Sequence, residues 1–258
     1  MLVMLPALLA TKSFRKIDRQ DWPQMAVFVG FCIFTQVPLY YAFNHAPVGT
    51  VQLIFYALFL ITAYAVGRLY LGEQITRIKL LSIVLAFMGL ALVFGVSVVS
   101  FAPLGLVLAA LNGVASGSET ASSKKLSDKY PPGLIVFWGW IFTLLTHLPL
   151  SLLLHEPQPM PTFDAAWGYL LAYSVVNAAA FWLSIEGFRH ADASIASLIG
   201  LMEVVFAAVF AAIIFHQAIT GAVIVGGAFI IFAAMLPDLL AIIQGKRNRE
   251  PIEPVREL

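Results

Sequence analysis

Apolar runs of about 20 residues, separated by short polar connections, recur along almost the whole chain. They fall near residues 23 to 43, 47 to 70, 78 to 98, 103 to 123, 132 to 154, 165 to 187, 192 to 215 and 220 to 243. A bilayer core about 30 Å thick needs about 20 apolar residues in a helix, because backbone groups in lipid must be bonded within their own segment. The pattern therefore predicts an all-α polytopic membrane protein with eight complete transmembrane helices. With 60% hydrophobic and 11% charged residues, the composition lies outside the range of soluble domains.

The charges add an orientation. All 15 Lys and Arg fall in alternate connections, in the clusters Lys12 to Arg19, Arg68 to Lys79, Lys124 to Lys129, Arg189 and Lys246 to Arg256. The intervening connections, Asn44 to Pro47, Ser97 to Ala102, His155 to Asp164 and His216 to Thr220, contain none. The positive-inside rule makes the basic connections and the C-terminus cytoplasmic, and the protein one of the cytoplasmic (inner) membrane. A net charge of +1 dispersed over five sites is a topology signal and gives no footprint for nucleic acid. Met1 to Ala10 is apolar but about half the length of a span, and reads as the last turns of a helix whose beginning is missing.

Internal repetition carries the functional information. Ala42-Phe43-Asn44-His45-Ala46-Pro47, a long helix and Leu71-Gly72-Glu73-Gln74-Ile75-Thr76 recur as Gly187-Phe188-Arg189-His190-Ala191-Asp192, a long helix and Phe215-His216-Gln217-Ala218-Ile219-Thr220. The first connection falls outside and the second inside, so the halves have opposite orientation. Inverted repeats are the architecture of secondary transporters, with a midplane site exposed to each side in turn.

The chain resembles the EamA-like drug/metabolite transporters. The matching elements are Arg19-Gln20-Asp21-Trp22, Tyr40-Tyr41-Ala42-Phe43, Leu71 to Thr76, Lys124-Lys125-Leu126 before Tyr130-Pro131-Pro132, and Leu201 to Ala208. The resemblance implies two inverted five-helix repeats, the first lacking its first helix and most of its second. On that mapping residues 1–98 form the incomplete first repeat, 99–243 the second and 244–258 a cytoplasmic tail. Two departures stand out: the family's Glu-Pro is Glu203-Val204 here, removing an expected kink, and its second Gly-Glu is His216-Gln217.

Polar side chains at mid-depth are costly and tend to face a cavity or a partner. Gln36, Asn112, Asn177 and Glu203 sit there, and helical spacing extends them with Tyr40, with Ser116 and Glu119, and with Tyr173; Gln52 and Tyr56 form a similar pair. The predicted cavity is lined by Gln36, Tyr40, Tyr56, Asn112, Ser116, Glu119, Asn177 and Glu203. Each Asn or Gln is equally well explained by interhelical hydrogen bonding. Glu203, the most central carboxylate, is the first candidate for proton coupling and Glu119 the second.

Gly105, Ala109, Gly113 and Gly117 recur every fourth residue, a row that lets another backbone approach closely. The shorter row of Ala222 and Gly226 suits either an internal packing partner or a homodimer contact, and its brevity favours the former. The five tryptophans are read as interface anchors. Buried Cys32 reads as a packed thiol. His155-Glu156-Pro157 is a loop and no metal site. Lacking a Gly-rich phosphate loop, the chain implies no cofactor. The expected function is alternating-access transport, in the efflux direction, of a small metabolite or drug-like solute. The rivals are a non-transporting remnant or partner subunit, and an intramembrane serine hydrolase using Ser116 or Ser118 with His147.

Overall fold

The computed structural model describes residues 14–95, 103–158, 162 and 164–243. The expected N-terminal stub, the Ser97 to Ala102 connection and the tail from 244 lie outside the described residues. Among the described residues there are ten α-helices and no strands. They are α1 (Trp22–Ile33), α2 (Val37–Phe43), α3 (Val48–Tyr70), α4 (Arg77–Phe94), α5 (Pro103–Ser127), α6 (Pro132–Leu153), α7 (Ala165–Phe188), α8 (Ala193–Gly200), α9 (Met202–Phe215) and α10 (Gly221–Ile243). Several ends follow from local chemistry. Thr76 and Asp164 accept hydrogen bonds from the backbone N–H groups of Lys79 and Trp167, capping α4 and α7.

Seven stretches are long and apolar enough to cross a membrane, with α1–α2 and α8–α9 each counting as one. The remaining expected span, α5, has 25 residues but is too polar to join them. Its polarity has a structural reason. It packs against α1, α2, α3, α6, α7 and α8, and buries Asn112, Ser118, Thr120, Ser122, Ser123 and Ser127. Its hydroxyls are bonded within the helix, Ser118 to the Val114 carbonyl at 2.8 Å and Ser122 to that of Ser118 at 2.7 Å. Those side chains meet protein and not lipid, so hydropathy does not register them as a span.

Two expected continuous helices are interrupted. Residues 22 to 43 form one span by length but break between Ile33 and Val37. Pro38 explains the break: it has no N–H for the Phe34 carbonyl, and its ring would collide with that carbonyl in a continuous helix. The second interruption is at Leu201, which corrects the expectation that Val204, in place of the family's proline, removes a kink here. Here the ladder tightens next to Gly200, with Leu201 N–H donating to the Leu198 carbonyl at 3.2 Å and Val204 N–H to that of Leu201 at 3.0 Å.

Small residues set the closest helix contacts. A Cβ on Gly113 or Gly117 would lie 2.6 Å from the carbonyl of Phe55 or Phe59, so the four-residue row brings α5 directly onto the α3 backbone. Gly89 of α4 and Gly226 of α10 meet in the same way, each with the other's carbonyl 2.7 Å from its Cβ position. That contact gives the short row of α10 an internal partner. Apolar packing among the described residues then forms two large clusters and a small third of Ala42, Val51 and Ala109 between α2, α3 and α5. One large cluster joins α1, α6 and the C-terminal half of α7 through Met25, Phe28, Leu134 and Ile185. The other large cluster joins α3, α4, α8 and α10 through Leu60, Leu90, Leu198 and Ile230. Trp138 belongs to the first, edge-on to Trp22 with ring centroids 5.3 Å apart, so it is a packing residue and more than an interface anchor.

Candidate functional site

The described basic connections meet at one end of the bundle. Lys129 binds Asp21 at 2.6 Å, and the Tyr130 hydroxyl donates to the same carboxylate at 2.8 Å. The bond from Lys129, ahead of that from Tyr130, holds the Asp21 carboxyl below the ordinary aspartate range, and the same bond raises Lys129. Arg189 donates to the carbonyls of Ser127 at 2.6 Å and Tyr130 at 3.0 Å.

At the centre of this end lies Glu73, 8% exposed. Its carboxylate accepts the N–H of Ala193 at 2.5 Å, the N–H of Ser194 at 3.2 Å and the Ser194 hydroxyl at 2.7 Å, so a side chain from the first half caps α8 of the second. Lys79 binds Asp192 at 2.6 Å and stands 3.9 Å from Glu73. Lys124 stands 3.8 Å from Asp192 and donates to the Ala191 carbonyl. Gly67 makes room for this cluster, since a Cβ there would fall 3.0 Å from the Glu73 carboxylate.

The other end is open. Helix α7 is exposed over most of its length, Tyr169, Leu171 and Val176 included, and its two buried residues, Ala178 and Ile185, lie in the half toward the basic end. In the same way α8 is buried and α9 carries exposed Phe206, Phe210, Ile213 and Phe215. Helix α3 packs on α8, and near the break at Leu201 the Tyr56 hydroxyl donates to the Glu203 carboxylate. Tyr173, on the same half of α7 as Tyr169, is 63% exposed.

The predicted cavity residues thus separate into two groups. Tyr56 and Glu203 meet near the break at Leu201, while Tyr40 is exposed on α2. Asn112, Glu119 and His147 gather at the break in the first span. The amide of Asn112, fully buried, donates to the Thr35 carbonyl at 2.5 Å and reaches that of Phe34 at 3.5 Å; His147 Nε2 donates to that of Ile33 at 2.8 Å. Carbonyls freed by the break are therefore bonded by side chains of neighbouring helices, as a membrane interior requires. Glu119 accepts the Cys32 thiol at 3.3 Å. Gln36 is exposed at the start of α2, Ser116 is half-buried on α5, and Asn177 is exposed on α7. Ser118 and His147 are each bonded to a different carbonyl, that of Val114 and that of Ile33.

With this geometry in view, comparison with known proteins decides the family. The model of the EamA-like transporter family matches residues 1–95 and 103–236. This chain belongs to the EamA-like transporter family. Protein PecM of Dickeya dadantii (strain 3937) is 23% identical over 219 residues, which cover 84% of this chain and 73% of PecM. A solved crystal structure is similar with a TM-score of 0.79 over 94% of this chain and 84% of its own, at 20% identity, a likeness of fold alone. As an EamA-like protein with several membrane-spanning helices, the chain is a multi-pass membrane protein of a family of small-solute transporters, not enzymes.

In the sequence Glu73, Lys79, Lys124 and Asp192 stand apart, as repeat elements or topology charges, with no sign that they form a cluster. A carboxylate after Gly72 and an acid at the start of α8 were the available signals, but their partnership spans 120 residues and is visible only in three dimensions.

Proposed function

We propose that this EamA-like protein is a secondary transporter that exports a small metabolite or drug-like solute across the cytoplasmic membrane by alternating access. Helix α5 counts as an eighth span in this reading. The halves 1–98 and 99–243 act as inverted repeats, and the basic end and the 244–258 tail face the cytoplasm. The observation that carries the proposal is the Tyr56–Glu203 pair at the foot of an opening that the basic end closes off. A carboxylate there can exchange a proton or hold a charged substrate when the opening reaches the far side.

Tyr40, Asn177 and Glu203 form the exposed wall of the substrate site, with Tyr56 buried behind Glu203. Gln36, Asn112, Ser116 and Glu119 line its floor beside the broken span. The Asn112 Oδ1 atom, buried with no partner among the described residues, supports a free acceptor at that floor. Glu203 is the proton-coupling group and Glu119, bonded to Cys32, the reserve.

The test is saturable flux in proteoliposomes across a panel of amino acids, nucleosides and amphipathic amines. Transport reduced by Tyr40→Ala and by Asn177→Ala is the expected result. Flux of a saturable substrate that neither variant alters would remove these residues from the site.

A further inference from the structure

The two halves end their long helices in the same way but with different chemistry. After α3, Gly72 adopts a left-handed conformation with φ 72°, and Glu73 N–H donates back to the Gly67 carbonyl at 3.0 Å. After α9, His216 adopts the same conformation with φ 53°, and Gln217 N–H donates back to the Ala211 carbonyl at 3.4 Å. Both bonds close over six residues, so Glu73 and Gln217 occupy equivalent positions of the repeat.

Their surroundings differ. Glu73 is buried and caps α8 with both carboxylate oxygens, held beside Lys79 and Lys124. Gln217 is exposed, and α3, the helix it would cap by symmetry, begins at Pro47 with no side-chain cap. A glutamine offers one oxygen without charge, whereas an anion at a helix N-terminus is favoured by the unpaired N–H groups and the helix dipole.

We propose that Glu73 is the latch of the basic end and that its neutral counterpart Gln217 makes the opposite latch weaker, so that the protein rests closed at the basic end and open at the other. Glu73 is a positioning residue: it fixes which end is open and touches no substrate. The proposal rests on the alternating-access reading and assigns a preference between its two states.

Cysteine accessibility in detergent, where both ends meet solvent, separates the two ideas. In a Cys32→Ala background, Val176→Cys reports the open end and Ser197→Cys, 1% exposed beside the latch, reports the basic end. The latched protein should react at Val176→Cys and be protected at Ser197→Cys, the latter only while Glu73 is present. Glu73→Gln should raise labelling at Ser197→Cys and lower it at Val176→Cys, changing their ratio about tenfold, a shift of about 1.4 kcal/mol. Gln217→Glu, which removes no native contact of the basic end, should move the ratio in the same direction. Labelling that rises at both positions in Glu73→Gln would mean general loosening and overturn the latch, as would an unchanged ratio in both variants. If the reporters exchange protection in response to a transported substrate but not to these variants, alternating access stands and the latch falls. If no condition or variant ever protects Val176→Cys, the two-state reading falls with it.

Discussion

The hydroxyl of Tyr56 on α3 donates to the carboxylate of Glu203 at the start of α9, joining the two halves of the chain across 147 positions at the foot of the opening. Beyond this pair α9 carries exposed side chains, and before it α8 packs on α3. The interruption at Leu201 lets the two segments of one span take different courses. Removing the hydroxyl by Tyr56→Phe takes one charge-assisted hydrogen bond from Glu203, worth about 1.5 to 3 kcal/mol. The apparent affinity for a transported substrate should change by about tenfold or more, measured by concentration-dependent flux, and the thermal midpoint should fall by a few degrees.

Asn112 serves the broken span. Asn112→Ala takes their donor from the part-buried carbonyls of Thr35 and Phe34, which costs about 1 to 3 kcal/mol. Purified protein should melt several degrees lower, and His147→Ala should do the same through Ile33. A large fall in substrate affinity with an unchanged melting temperature would leave Asn112 its place at the floor of the site and remove its part in bracing the span.

Glycine positions offer a control on packing. Gly113→Ala places a methyl 2.6 Å from the Phe55 carbonyl and must push α5 off α3, at a cost of about 1 to 3 kcal/mol. Gly30→Ala meets nothing within 4 Å. Thermal unfolding in detergent should separate the two clearly, the first destabilised and the second not.

Orientation follows from the meeting of the basic connections. Cysteine at Gln158, in the exposed connection after α6, should react with an impermeant thiol reagent in intact cells, and cysteine at Lys125 should not. Labelling at Lys125 would reverse the topology and, with it, the assignment of the closed end.

Much of this architecture can be read from local pattern. Runs of apolar residues bounded by Thr76, Pro103, Pro132 and Asp164 locate helices within a few residues, because bilayer thickness and helix caps act on neighbouring positions. The Gly105 to Gly117 row marks a close helix contact for the same reason. The break at residues 34 to 36 was written in Pro38, yet apolar length alone conceals it. What escapes the sequence is partnership: Glu73 with Ser194, Glu119 with Cys32, and Asn112 with Thr35 depend on how distant helices pack. Polar residues at mid-depth are recognisable one by one, but whether each faces a cavity or repairs a backbone is decided by its neighbours in space.

The central claim, that Glu203 couples transport to protons, has a direct measurement. In proteoliposomes, flux driven by an imposed proton gradient is compared with substrate-for-substrate exchange in the parent protein and in Glu203→Gln, which keeps the shape and the bond from Tyr56 but cannot ionise. Loss of gradient-driven accumulation with exchange largely intact is the predicted result. A Glu203→Gln protein that still concentrates substrate against a proton gradient would contradict the account and move the coupling group to Glu119.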